Sequence, residues 1–213
     1  MNRSSIALEA IRTRIFSGNL RPGDNISIPN LVKELGISRQ PLNEALKQLE
    51  AMKIVEIIPQ VGSIVITPKK DDVINFLYIF SAIEAAIFAR VAETAQLPEL
   101  KKLGQLIADD YKKWTKAKTD DEKSEIYRRH NRNFHTGVHT AAGSSVMTDI
   151  SYPLWDRMDF YITVAIGAHS FVPRLPDAFN EHAEILSAIH TKDIGKVRQL
   201  TERHVQSFIK EIS

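Results

Sequence analysis

Apolar residues recur at helical spacing through the first fifty positions. Leu8, Ile11, Ile15 and Phe16 fall on one stripe and predict a helix over residues 6 to 16, with Gly18 at its stop. The Pro-Gly pair in LRPGD, residues 20 to 24, predicts a turn. Ser27 is placed to cap a second short helix through Leu35, which tolerates Pro29 in its first turn and ends at Gly36. Ser38 is placed to cap a third helix, with Pro41 where a missing N–H costs nothing. After Met52 the pattern changes to two short β-branched runs, IVEII and VGSIVI, which predict a hairpin with its tip at Gln60 to Gly62. The polar stretch TPKKDD, residues 67 to 72, reads as a linker.

From Val73 onward the stripes are helical throughout, at about residues 72–95, 97–117, 120–142, 146–168, 177–190 and 192–212. Gly143-Ser144, FVPRLPD and HTKDIGK mark three of the breaks. The expected fold is therefore mainly α. Residues 1–68 form a winged helix-turn-helix of three helices and a β-hairpin, and residues 72–213 form an antiparallel helical bundle.

The third helix separates its residues by chemistry. Leu42, Ala45, Leu46 and Leu49 lie on one side, while Arg39, Asn43 and Lys47 recur every four residues on another. In a winged helix-turn-helix this outward row enters the major groove. There Arg pairs with guanine edges or phosphate, Asn with adenine, and Lys with phosphate. Gln40 sits beside them at the helix start, and Gly62 at the hairpin tip lets the backbone approach the neighbouring minor groove. A solvated face on a small helical domain would show a similar polar stripe.

Charge sharpens the division into two parts. Residues 1 to 70 carry 10 Lys/Arg against 6 Asp/Glu, and the remainder carries 18 against 20. All seven histidines lie between His130 and His204. With no Cys, disulfides and thiolate metal sites are excluded. The N-terminus interleaves charges with apolar residues, unlike a secretory signal. The apolar window at residues 73–92 holds Glu84 near its middle and Arg90 near its end, so a buried helix is expected rather than a membrane span. A cytoplasmic protein without a membrane partner is the expectation.

Asn131 and His135 share one helix face, His182 sits on a later helix, and His204 on the last. Three imidazoles and an amide from three helices suit a divalent cation if they converge, and satisfied core or surface positions if they do not. Without His-Glu-x-x-His or Glu-x-x-His, the helix-borne signatures of metalloenzymes are missing.

The stretch from Leu31 to Ile66 resembles the DNA-binding domain of the GntR family of bacterial transcription regulators. Leu31, Leu35, Gly36, Ser38, Arg39, Pro41, Glu44, Ala45, Leu46, Leu49 and Gly62 match its pattern at the right spacing. Asn43 stands where the family usually has a DNA-contacting Arg, and Met52-Lys53 replaces a more usual Glu-Gly. Residues 72 to 210 resemble the FCD effector domain of FadR-type members of that family, through Asn131, Phe134 and His135, then His182 with Ile185, then His204.

The resemblance implies a homodimeric, ligand-responsive regulator, commonly a repressor, that binds palindromic double-stranded DNA through Ser38, Arg39, Gln40, Asn43, Lys47 and Gly62. It also implies a divalent metal (Zn, Ni or Mn) on Asn131, His135, His182 and His204. Asn131 replaces the family's Asp, a weaker ligand for such a cation. The effector, an organic acid by resemblance, would meet Phe80, Glu84 and Arg157. Phe80 occupies the position of the family's carboxylate-binding Arg, and Arg157 is the alternative cation. The remaining alternatives are a metal-dependent helical-bundle enzyme and a regulator whose bundle only dimerises. His130, His139, His169 and His190 match no ligand position and read as packing or surface residues.

Overall fold

A computed structural model describes residues 2–94, 97–166 and 175–212. Helix α1 (Arg3–Phe16) starts three residues before the apolar stripe, because the Asn2 side chain accepts the Ser5 N–H at 2.7 Å. Helix α2 (Ile28–Leu35) is capped by Ser27 and stops at Gly36, whose φ of 65° is left-handed. Helix α3 (Arg39–Ala51) begins after Ser38. That residue sits at the cap position, yet its hydroxyl makes no capping bond, contrary to the sequence expectation.

Strands β1 (Val55–Ile58) and β2 (Gly62–Val65) pair antiparallel, with Val55 opposite Val65 and Ile58 opposite Gly62. Gly62 has φ 140°, a region few other residues adopt. An isolated bridge from Asn25 to Ile64 extends this small sheet, which the strand pattern did not foretell. Ile11, Ile15, Leu42, Leu46, Leu49, Ile54 and Val65 are buried and form the core of this part. Full burial of each large aliphatic side chain contributes about 1.5–3 kcal/mol.

Lys53 leaves α3 at φ 59° and is exposed, at the position where the related family more usually has Gly. A non-Gly residue in this region costs roughly 1–2 kcal/mol, partly offset by the greater unfolded-state entropy of Gly. Lys53→Gly is therefore expected to stabilise the fold by about 0.5–1 kcal/mol in urea denaturation. An unchanged or lower midpoint would show that Lys53 holds its turn without strain.

The second part is helical among the described residues: α4 (Lys70–Thr94), α5 (Leu97–Lys116), α6 (Asp120–Ala141), α7 (Ser145–Tyr161), α8 (Leu175–His190), α9 (Ile194–Gln206) and α10 (Ile209–Ile212). Helix α4 takes in Lys70 to Asp72, shortening the expected linker, since Asp71 and Asp72 in its first turn complement the helix dipole. Thr119 and Glu122 cap α6 reciprocally. Helix α7 carries Pro153 internally and runs into a π-helical stretch, Ile162–Ile166. The expected last helix is divided at Ser207 and Phe208 into α9 and α10. Most of the FVPRLPD break, and His169, lie outside the described residues.

Helix α4 packs on α9, α8 and α6, while α5 packs on α6 and α8. By length and composition α4 is apolar enough to cross a membrane. Its buried residues, which include Glu84, instead form the centre of the bundle.

The chain forms two compact units. One comprises the winged part through Lys69 together with Asp156–Ala165, and the other Lys70–Trp155 with the chain from Ile166 on. Within the first unit Arg12 pairs with Asp156 at 2.9 Å.

Candidate functional sites

In the winged unit, α3 buries Pro41, Leu42, Ala45, Leu46 and Leu49 and exposes Ser38, Arg39, Gln40, Asn43 and Lys47. The exposed row follows from the four-residue spacing, because residues opposite the buried stripe have no other place to go. Arg39 and Lys47 put two cations on this face, and Gln40 donates to Glu44 at 3.3 Å. The unbonded Ser38 hydroxyl stands at the α3 N-terminus, where the helix dipole favours an anion such as phosphate. Gln60, Val61 and Gly62 are exposed at the hairpin tip, and a groove lined by Asn43, Lys47, Gln60 and Gly62 runs between helix and wing.

In the helical unit, His135 of α6, His182 of α8 and His204 of α9 bring one nitrogen each within 4.8 Å of one another. All three are buried. The His182 and His204 Nε2 atoms face each other at 3.1 Å. The third Nε2, on His135, is buried without a hydrogen-bond partner.

The other ring nitrogens explain this convergence. His135 Nδ1 donates to Glu84 Oε2 at 2.7 Å, and His204 Nδ1 donates to Glu181 Oε2 at 2.6 Å. An ionised carboxylate only accepts, so both rings carry their proton on Nδ1 and turn a bare Nε2 inward. Bare nitrogens facing one another repel unless a proton or a metal cation lies between them. Two nitrogens bound to one ion at about 2.0–2.1 Å would sit roughly 3 Å apart. The residues fit a divalent metal.

Burial pushes His135 down to about 4, with Glu84 opposing the shift. His130 is likewise lowered to about 4 by burial, opposed by Asp110. Both imidazoles are neutral near pH 7, and for His135 this is the form that ligates. Burial alone would raise Glu84, but hydrogen bonding to His135 and His139 holds it well below the usual carboxylate range. The Trp155 indole N–H also donates to Glu84, at 3.1 Å.

Asn131 is buried on the same face of α6, and its Oδ1 accepts from the Tyr127 hydroxyl at 3.3 Å. Phe80 is buried and packs on Phe76 and Trp155 at ring-centroid distances of 5.4 and 5.1 Å. Glu84 stands behind His135 as its hydrogen-bond partner. Arg157 donates through Nε and Nη2 to the Tyr161 hydroxyl, at 2.9 and 2.6 Å.

Three residues that matter here, Asp110, Trp155 and Glu181, belong to no motif in the sequence. Two others, His130 and His139, match no ligand pattern in the sequence, and both are buried and hydrogen-bonded. Tyr127, His130, Asn131, Phe134, His135, Val138 and His139 make one continuous buried stripe on α6. That periodicity was the available signal. His190 is exposed at the end of α8. His139 stands 2.9 Å from Ser151 Oγ and 2.8 Å from Glu84 Oε1, the order of groups in a hydrolytic triad. All three are fully buried, so Ser151 cannot meet a substrate.

Family models match both parts of the chain. The bacterial regulatory protein gntR family matches residues 4–65, and the FCD domain matches residues 77–207. The chain belongs to the GntR family of regulators with an FCD domain. It is 21% identical over 203 residues to the HTH-type transcriptional repressor GlaR of Escherichia coli K12, covering 92% of this chain and 89% of that protein. It is 24% identical over 190 residues to the gluconate operon transcriptional repressor of Bacillus subtilis, covering 86% and 74%. The solved structure of E. coli McbR/YncC superposes with a TM-score of 0.79 at 20% identity, over 100% of this chain and 97% of that one. This GntR-family chain is a DNA-binding transcription regulator with an effector domain, and not an enzyme.

Proposed function

We propose that this GntR-family regulator is a cytoplasmic homodimeric repressor whose helical domain holds a divalent metal on His135, His182 and His204. The inward Nε2 atoms of these three rings carry the reading, since each Nδ1 is engaged elsewhere. Imidazole suits zinc or nickel, whereas manganese favours oxygen ligands, which the three histidines do not supply. A bound cation would supply a positive centre for an acidic effector, and the chain's own residues fix the rings around it. Phe80, buried against Trp155, brings no charge to that neighbourhood, which makes a bare dicarboxylate a poor effector. Repression is the reading favoured by the names of the similar curated proteins. The exposed row Arg39, Asn43 and Lys47 would read each half of a palindrome, one half per protomer.

Asn131 stands where the related pattern has a carboxylate, so neither it nor the three histidines brings a charge of its own. Asn131→Asp is expected to tighten zinc binding by about tenfold or more, because a carboxylate is a stronger ligand for a divalent cation than an amide. Metal analysis of the purified proteins, followed by chelator competition, reads this directly. If neither protein takes up a divalent metal at neutral pH, the histidines serve packing or direct effector contact, and the metal reading is lost.

A further inference from the structure

His182 differs from the other two converging histidines in what stands behind it. The rings of His135 and His204 are backed directly by Glu84 and Glu181. Behind His182 stands another imidazole: His130 Nε2 lies 2.9 Å from His182 Nδ1. His130 Nδ1 in turn faces Asp110 Oδ2 at 3.4 Å, and neither atom has a shorter hydrogen-bond partner. Asp110 is itself buried and held through its other oxygen by Lys113 at 2.8 Å. His130 is fully buried between Phe179 and Phe134, at centroid distances of 4.4 and 6.3 Å, so its ring cannot turn freely.

These contacts define a direction. A carboxylate cannot donate, so Asp110 favours the His130 tautomer with its proton on Nδ1. That leaves His130 Nε2 as an acceptor, which draws the His182 proton to Nδ1. The lone pair of His182 Nε2 is then presented to His204 and His135. We infer that Asp110 and His130 form a two-residue positioning relay that sets the tautomer and ring angle of His182 for metal ligation. With it, each of the three histidines ends in a buried or half-buried carboxylate: Glu84, Glu181 and, through His130, Asp110. These carboxylates place negative charge behind the converging rings, Glu84 and Glu181 directly and Asp110 through His130, where Asn131 brings none. The inference rests on the metal reading proposed above and assigns roles to Asp110 and His130, which lie outside the three converging rings.

The decisive comparison sets His130→Phe against His130→Gln. Phe keeps an aromatic ring between Phe179 and Phe134 and removes the acceptor. Gln loses the ring and offers an amide oxygen to His182 Nδ1–H. Groups that orient a ligating histidine typically change metal affinity by about 10–100-fold. Zinc affinity, read by competition with a chromophoric chelator on the full-length protein, is expected to fall by that factor in His130→Phe. It should stay within about threefold of wild type in His130→Gln. Asp110→Asn should weaken zinc in the same direction with the His130 ring retained. A packing role would reverse the ranking of Phe and Gln. Zinc bound by His130→Phe as tightly as by wild type, or lost equally in both His130 variants, overturns the relay. Wild type that takes up no zinc overturns the metal reading, and the relay is then decided on metal-free protein by the ¹⁵N shifts of His182. Protonation at Nδ1 in wild type and His130→Gln but not in His130→Phe supports it. The same tautomer in all three overturns it.

Discussion

Arg39→Ala is expected to abolish specific operator binding while leaving the fold intact. Arg39 is exposed at the first position of α3, and its side chain holds no place in the core. Loss of a bidentate base contact costs about 1–3 kcal/mol, and the proposed dimer on a palindrome would lose it twice. The expected penalty is therefore about 2–6 kcal/mol at the operator, with little change on unrelated DNA. Lys47→Ala should act differently. It weakens binding to all sequences and flattens the dependence of affinity on salt, since phosphate contacts release counterions. Titrations of wild type and both variants on operator and scrambled duplexes, at two or more salt concentrations, separate the two roles. An Arg39→Ala protein that binds its operator like wild type would remove α3 from the groove.

The second large effect is a loss of stability in mild acid. His130 and His135 are both lowered by burial from 6.5 to about 4. Well above pH 6.5 both groups are neutral, folded or unfolded, and contribute nothing to the pH dependence. Between pH 6.5 and 4 the unfolded chain takes up protons that the folded chain refuses, so stability falls as pH falls. From pH 6.5 to pH 5 the two groups together should cost about 3 kcal/mol. Glu84 is lowered, so its contribution is present above its unfolded value near 4.5 and is lost as pH drops toward its folded value, a separate window further into acid. Chelator-treated protein, unfolded in urea at half-unit steps of pH, gives the curve. A flat stability from pH 6.5 to 5 would mean that these histidines accept protons in the folded state.

Much of this protein was legible in its sequence, for local reasons. The helix-helix-helix-hairpin order follows from apolar periodicity, from the caps at Ser27 and Gly36, and from the change to β-branched runs after Met52. The exposed row on α3 follows from spacing alone, as one side of the helix is committed to the core. His135, His182 and His204 could be nominated because each falls on a buried helix face and matches a known pattern. Their convergence to within 4.8 Å required three helices to pack, and no spacing along the chain contains that distance.

What only the tertiary structure decided lies in the partners behind those rings. Glu84 comes from α4, Asp110 from α5 and Glu181 from α8, and their sequence separations from His135, His130 and His204 are set by loop lengths and helix crossings. Packing also turned His130 and His139 from apparent fillers into hydrogen-bonded core groups, because a buried imidazole must find partners for its nitrogens. Conversely, Ser38 has the right residue type for a cap and makes no capping bond. Sequence determines which faces are buried and which groups are available. Ring orientation, tautomer and the assignment of each nitrogen are settled by contacts between distant helices, so they belong to the fold as a whole.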